Sequence, residues 1–394
     1  MAKIDAMLSK AAESGASDVH IAVGSPAIIR RFGQLMKSRT PEFTPEQTRG
    51  LLYEVLTPAQ KEEFEQSWEV DFAYEIAGVA RFRCNAFQEH KGIDICFRVI
   101  KLQVPTLEEL AVPEVMTRSL EHHQGLILVT GSAGSGKSST LAAMVNYLNA
   151  TRPHHVLTVE DPIEYVHPVK KAAVNQRQLN AHTKSYANAL RAALREDPDV
   201  IVVGDLRDLE TITLAISASE TGHLVIGSMN TSSAAKTVDK VIDSYPAGQQ
   251  NQIRAMLGES LKAVFTQRLV PRADGKAMTL AYELLLGSRQ LASLIKDNKT
   301  FQISNLMQTG KSRGMRLMDD SLMELLKKGE ISAEVALKNA ANPKLFPVAT
   351  GGAAHTAGIP PPDALDPAAA APPAKPGPAS VMRKPANPVT GGGR

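Results

Sequence analysis

Residues 131–138 read Gly-Ser-Ala-Gly-Ser-Gly-Lys-Ser, a match to GxxxxGK[ST], between an apolar run suited to a buried strand (residues 125–130, GLILVT) and a helical pattern (residues 138–148). This context narrows the fold to one in which a strand feeds a helix N-terminus through a glycine-rich turn. The glycines let the backbone close around an anion, and successive N–H groups and the helix N-terminus face its charge. Gly131, Ser132, Ala133, Gly134, Ser135, Gly136, Lys137, Ser138 and Ser139 are therefore candidate nucleotide-binding residues. Lys137 reaches β/γ-phosphate oxygens in such a loop and Ser138 can ligate Mg²⁺, so ATP and Mg²⁺ are the expected cofactors.

Downstream, several apolar runs each deliver a polar residue at their carboxyl end, where an open α/β sheet binds ligands. Residues 155–159 run into Glu160-Asp161-Pro162-Ile163-Glu164, and Glu160 is placed to orient or deprotonate water. An acidic turn that only ends a strand is the plainer reading of that stretch. Residues 198–204 (PDVIVVG) end at Asp205, where a carboxylate holds the water shell of a Mg²⁺ bound by Ser138. Residues 222–227 form another strand, with His223 before it and Asn230 beyond it. His223 alone reads as a structural histidine, while Asn230 can hydrogen-bond a phosphate or the attacking water.

The first hundred residues predict a small mixed domain. Helices are expected over 4–12 and, as one piece, over 45–67, the latter opened by Thr44 and Pro45. Strands are expected over 18–23, 28–32, 70–76, 80–88 and 93–100. Arg81 and Arg83 share one strand face and Phe82 and Cys84 the other, which on periodicity alone is a solvated edge. Residues 101–106 suit a linker, with a helix starting near Thr106.

The chain's 394 residues are long for one core, and its net charge of +3 is nearly balanced, which disfavours a dedicated nucleic-acid surface. Cys84 and Cys96 sit in apolar strands and read as core residues of a cytoplasmic protein. No signal peptide or membrane-spanning run is present, so membrane association is expected only through a partner.

Taken together, GSAGSGKSST, TVEDPIEYVH, DVIVVGDLRDLETI and ASETGHLVIGSMNTSSA resemble the Walker A, Asp box, Walker B and His box of the secretion ATPases, and within them the PilT/PilU-like retraction ATPases of type IV pili. GASDVHIAVGSPAIIRRFGQL and GVARFRCNAF extend the likeness into the N-terminal domain. The resemblance implies an α/β chain. Its parts would be a PAS-like α+β domain (residues 1–100), a linker (101–106), a RecA-like P-loop NTPase domain (107–285) and a C-terminal helical cap (286–343); a disordered tail (344–394) is expected from composition and is not part of the family's common pattern. It also implies a hexameric ATPase, alone or mixed with a paralogous motor, that turns an inner-membrane platform protein and retracts pili for twitching motility from the cytoplasmic face. Glu160 is similar to the family's general base and His223 to its first His-box histidine. Arg81, Arg83 and Arg98 match arginines of the N-terminal domain that complete the site and stabilise charge. The expected motion is a rotation of the two domains about residues 101–106.

Three positions depart from that family's pattern: Asp205 replaces a glutamate, Asn230 a histidine, and residues 290–296 (QLASLIK) lack an internal arginine. They leave a second reading, an accessory nucleotide-binding subunit with weak turnover, beside the active motor. A nucleic-acid translocase is disfavoured by the N-terminal match and the charge balance. Residues 249–265 and 314–328 have helical apolar spacing and suit the cap. From about Pro347 the chain turns to Ala, Pro and Gly, with Lys375, Arg383, Lys384 and Arg394 offering a weak tether to an anionic surface.

Overall fold

Strict alternation in the first hundred residues builds an antiparallel sheet with one dry face. The computed structural model describes residues 3–31, 33–275 and 277–347, so most of the tail expected over 344–394 lies outside the described residues. The strands are β1 (Asp18–Ile21), β2 (Ile28–Arg31), β3 (Gln34–Lys37), β4 (Glu69–Ile76), β5 (Ala80–Glu89) and β6 (Gly92–Ile100), in the order β3-β2-β1-β6-β5-β4. Ala80, Phe82, Cys84 and Ala86 of β5 point inward, and Arg81 and Arg83 point the other way. The inner face packs on Leu8, Leu52 and Phe64 of three covering helices. Phe82 and Phe97 meet edge to face at 6.3 Å. Burying each such ring stabilises the fold by about 1.5–3 kcal/mol.

The helix expected over 45–67 is two helices, Pro45–Val55 and Pro58–Ser67. Pro58 has no N–H to donate and pushes Thr57 out of the helical region, so the chain stops and starts again. Thr57 then caps the second helix: its N–H donates to Gln60 Oε1 at 3.0 Å and its hydroxyl accepts from the Gln60 N–H at 3.4 Å. The helix expected from Thr106 is only a turn. Thr106 and Glu109 exchange capping hydrogen bonds, but Ala111 adopts φ 55° just before Pro113, and the first α-helix there is Val115–Ser119.

The second sheet contains β7 (Gly125–Thr130), β8 (His155–Glu160), β9 (Ala173–Gln178), β10 (Val200–Val203), β11 (Leu224–Met229), β12 (Leu261–Pro271) and β13 (Met278–Leu286). Its order is β13-β12-β7-β11-β10-β8-β9. All neighbours run parallel except β12 and β13. Strands β7, β10 and β11 are buried at every position, as their unbroken apolar runs require in a sheet covered on both faces. The helical reading of 249–265 is corrected at its end. The helix is Ala247–Ser260, and Leu261 to Phe265 enter β12, with Val264 paired to Leu128. A short apolar run reads equally well at either period, and here a vacant place beside β7 decided it.

After β13 come helices Arg289–Lys296, Ile303–Thr309, Met318–Lys327 and Ala333–Asn339. Order continues into the stretch read as tail. Pro343–Leu345 forms a 3₁₀ turn and Phe346 is buried beside Met318, Leu322 and Ile331. Among the described residues no helix is long and apolar enough to cross a membrane.

Candidate functional site

Parallel pairing brings the carboxyl ends of β7, β8, β10 and β11 to one edge of the second sheet. Val203 is in register with Val159 and Gly227, and Met229 with Thr130. The residues that follow these strands, 131–138, Asp161 to Glu164, Asp205 and Asn230, therefore leave the sheet at the same edge.

The glycine-rich turn after β7 has the shape its sequence predicts. Gly131, Gly134 and Gly136 adopt φ 150°, 75° and 91°, and Gly136 leads directly into the helix Lys137–Thr151. A Cβ on Gly131 would lie 2.5 Å from the Gln267 carbonyl, so only glycine fits there. Ser132, Ala133 and Gly134 are exposed at the tip. The Lys137 ammonium folds back and donates to the Gly131 and Ser132 carbonyls at 3.0 and 2.9 Å. Burial lowers its pKa, and the nearby Asp205 charge opposes that shift.

Two carboxylates, Glu164 and Asp205, lie near the start of that helix, and a third, Glu160, lies near Glu164. Glu164 accepts from the Ser138 hydroxyl at 3.2 Å and lies 3.9 Å from the Arg83 guanidinium. Burial raises the Glu164 pKa, while Arg83 and Ser138 pull it down. Glu160 is held from beneath: its Oε1 accepts from Thr158 Oγ1 at 2.6 Å and Gln176 Nε2 at 3.0 Å, and burial raises its pKa too. Asp205 accepts from Arg207 Nε through Oδ2 at 2.6 Å, while its buried Oδ1 has no hydrogen-bond partner among the described residues.

That unpartnered carboxylate oxygen, an ammonium next to it, a serine hydroxyl and a loop with left-handed glycines fit a nucleotide phosphate with a divalent cation. Lys137 and the 131–139 backbone would hold the phosphates, and Ser138 and Asp205 the cation's shell. The Ser139 hydroxyl lies 3.2 Å from the hydroxyl of Tyr165, the residue after Glu164.

Other residues singled out by motif or resemblance lie elsewhere. His223 precedes β11, at the opposite end of the sheet from the phosphate loop, and its Nδ1 sits 3.1 Å from the Ala218 carbonyl. A parallel strand separates its first residue from its last by about 3.3 Å per residue, so within one chain His223 stands a strand's length from the loop. Asn230 stands at the correct end and is exposed. Of the three arginines, Arg83 is the one paired with an ATPase-side carboxylate. Arg81 is paired across the sheet to Glu75 at 3.1 Å and Arg98 to Asp18 at 3.0 Å, while the Arg98 charge also helps to hold the Glu164 pKa down. Sequence reasoning missed Glu164, although it closes the same EDPIE run as Glu160. It also missed Gln176 and Gln267, which carry no motif signal of their own.

Comparison with known proteins gives the chain's relatives. A family model described as type II/IV secretion system protein matches residues 1–336. The type IV pilus retraction ATPase PilT of Pseudomonas aeruginosa is 46% identical over 343 residues, covering 87% of this chain and 99% of its own. The type IV pilus ATPase PilU of the same organism is 35% identical over 338 residues, covering 86% of this chain and 88% of its own. A crystal structure of the pilus retraction motor PilT with bound ADP superposes with a TM-score of 0.78 at 41% identity, covering 86% of this chain and 97% of that one.

Proposed function

Because this chain belongs to the type II/IV secretion system protein family, we propose that it is an ATP-hydrolysing motor for type IV pilus retraction. The observation that carries this reading is the meeting of Lys137, Ser138, Glu164 and Asp205 at one sheet edge, in a chain that matches nearly the full length of a retraction ATPase. Bound Mg²⁺ would neutralise charge on the transferring phosphoryl group. The chain's own residues do the rest. The amides of 131–139 and Lys137 bind the phosphates, Ser138 and Asp205 hold the metal's shell, and Arg83 supplies positive charge.

Glu164, beside Ser138, is the better candidate to orient or deprotonate water, with Glu160 behind it as a positioning residue. Both half-buried carboxyls have pKa values raised by desolvation, the direction a general base working near neutrality needs. Asn230 can hold the attacking water without carrying charge.

At the level of assembly the reading is a homohexamer, or a ring mixed with a paralogue, acting on an inner-membrane platform protein from the cytoplasmic side. Its parts are a PAS-like domain over 1–100, a hinge over 101–106, a RecA-like domain over 107–285 and a helical cap beyond. The accessory reading rests on Asp205 and Asn230. The 46% identity to PilT against 35% to PilU supports the autonomous motor instead.

The test is steady-state ATPase activity of the chain beside Lys137→Ala and the double variant Asp205→Glu, Asn230→His. Turnover of the unaltered chain well above Lys137→Ala supports the motor. Turnover only in the double variant selects the accessory subunit, and equal turnover in all three sinks the phosphate-loop assignment.

A further inference from the structure

β12 outruns its neighbour. Thr266 is in register with Thr130, the last residue of β7, and their hydroxyls hydrogen-bond at 2.8 Å. Gln267 therefore stands beyond the end of β7, level with the phosphate loop. Its side chain is 3% exposed, and its Nε2 donates to the Ser135 carbonyl at 2.7 Å. Only the NH₂ of an amide can face a carbonyl, so the contact fixes which way the amide points. The cost is visible: among the described residues, neither Gln267 Oε1 nor the Ser135 hydroxyl, both buried, has a partner.

We propose that Gln267 is a positioning residue that locks the Ser135–Gly136 peptide in its phosphate-binding orientation. In a trans peptide the C=O and the following N–H point in opposite directions. With the Ser135 carbonyl drawn to β12, the Gly136 N–H points away from β12, on the side where the helix N-terminus and Lys137 face an anion. A flipped peptide would present the carbonyl oxygen to the phosphates and remove one donor. Gly136, at φ 91°, has the freedom to make that flip, so something outside the loop must prevent it. Gly131 and Gly136 are fitted to the same residue: a Cβ on Gly131 would lie 2.5 Å from the Gln267 carbonyl, and one on Gly136 3.1 Å from Nε2. The loop is thus seated on Gln267, a residue 130 positions away from Lys137 in sequence and outside the motif.

The proposal deepens the phosphate-loop reading and rests on it. Gln267→Met keeps shape without a donor, and Gln267→Glu sets a carboxylate against the Ser135 carbonyl. The experiment titrates ADP onto the full chain by calorimetry, with Lys137→Ala as control, and measures KM and kcat for ATP. Expected are a melting temperature without nucleotide lowered by a few degrees in Gln267→Met and by more in Gln267→Glu, both still folded, ADP binding weaker by about tenfold or more, and a matching rise in KM with kcat largely kept. If either folded variant binds ADP as tightly as the unaltered chain while Lys137→Ala does not, the role of Gln267 is refuted. If Lys137→Ala also binds normally, the phosphate-loop reading itself has failed.

Discussion

The Ser138 hydroxyl donates to the Glu164 carboxylate at 3.2 Å, joining the first turn of the phosphate-loop helix to the acidic segment that follows β8. If Glu164 handles the attacking water, Glu164→Gln should lower kcat by about 10²–10⁴ while leaving ADP affinity near normal. Because burial raises its pKa, the acid limb of kcat should lie above the ordinary carboxyl range, and activity should fall as pH drops through it. The stability linkage has the opposite sense: a carboxyl raised in the fold contributes most at low pH, and that contribution is lost as pH rises from its unfolded value through the folded one. A kcat–pH profile and a melting curve measured on the same samples separate the two.

Asp205 tests how far a shorter carboxylate is tolerated. Its free Oδ1 fits the shell of a cation, but a displacement of about 1 Å can cost about a hundredfold in rate. Asp205→Asn should abolish measurable turnover, and Asp205→Glu should raise kcat. An unchanged rate in Asp205→Glu would show that the aspartate is fully competent here.

His223→Ala should leave nucleotide affinity within about twofold, because His223 lies at the far end of β11 from the phosphate loop. Calorimetry with ADP checks this, and a large loss of affinity would mean that the far edge of the sheet reaches a nucleotide, as a neighbouring subunit's could.

His167 should make the fold acid-sensitive. Burial, reinforced by the charge of Lys170, lowers its pKa from 6.5 to about 4. The unfolded chain takes up this proton first, so stability present above pH 6.5 is lost as pH falls toward about 4, by on the order of 3 kcal/mol. Denaturant midpoints of His167→Phe across that range should be flatter than those of the unaltered chain. Parallel curves would remove His167 from the account.

Asn146 bridges the linker and the loop between β8 and β9. Its Nδ2 donates to the Pro105 carbonyl at 3.2 Å and its Oδ1 accepts from Lys170 Nζ at 2.6 Å. Asn146→Ala should cost about 1–3 kcal/mol and speed tryptic cleavage after Lys101. Cleavage at the original rate would show that the linker is held by other contacts.

Where local chemistry decides structure, the residues could be read in advance. The glycines at 131, 134 and 136, the cap at Thr44, and the apolar strands β7, β10 and β11 each follow from a short stretch and need little context. Length and period failed where two structures satisfy one pattern. Residues 45–67 are helical in composition but broken by Pro58, and residues 261–265 became strand because β7 had an open side.

The sequence by itself determined that a nucleotide-phosphate loop exists, that carboxylates end the strands around it, and that an antiparallel N-terminal sheet precedes it. These are properties of neighbours along the chain, set by backbone sterics and hydrophobic period. Only the tertiary structure decided which of those residues meet. Strand order left His223 at the edge opposite the phosphate loop, cross-strand pairing took Arg81 to Glu75 and Arg98 to Asp18, and packing brought Glu164 to Ser138 and Gln267 to Ser135. Contacts between residues far apart in sequence depend on register and sheet order, which no local pattern encodes.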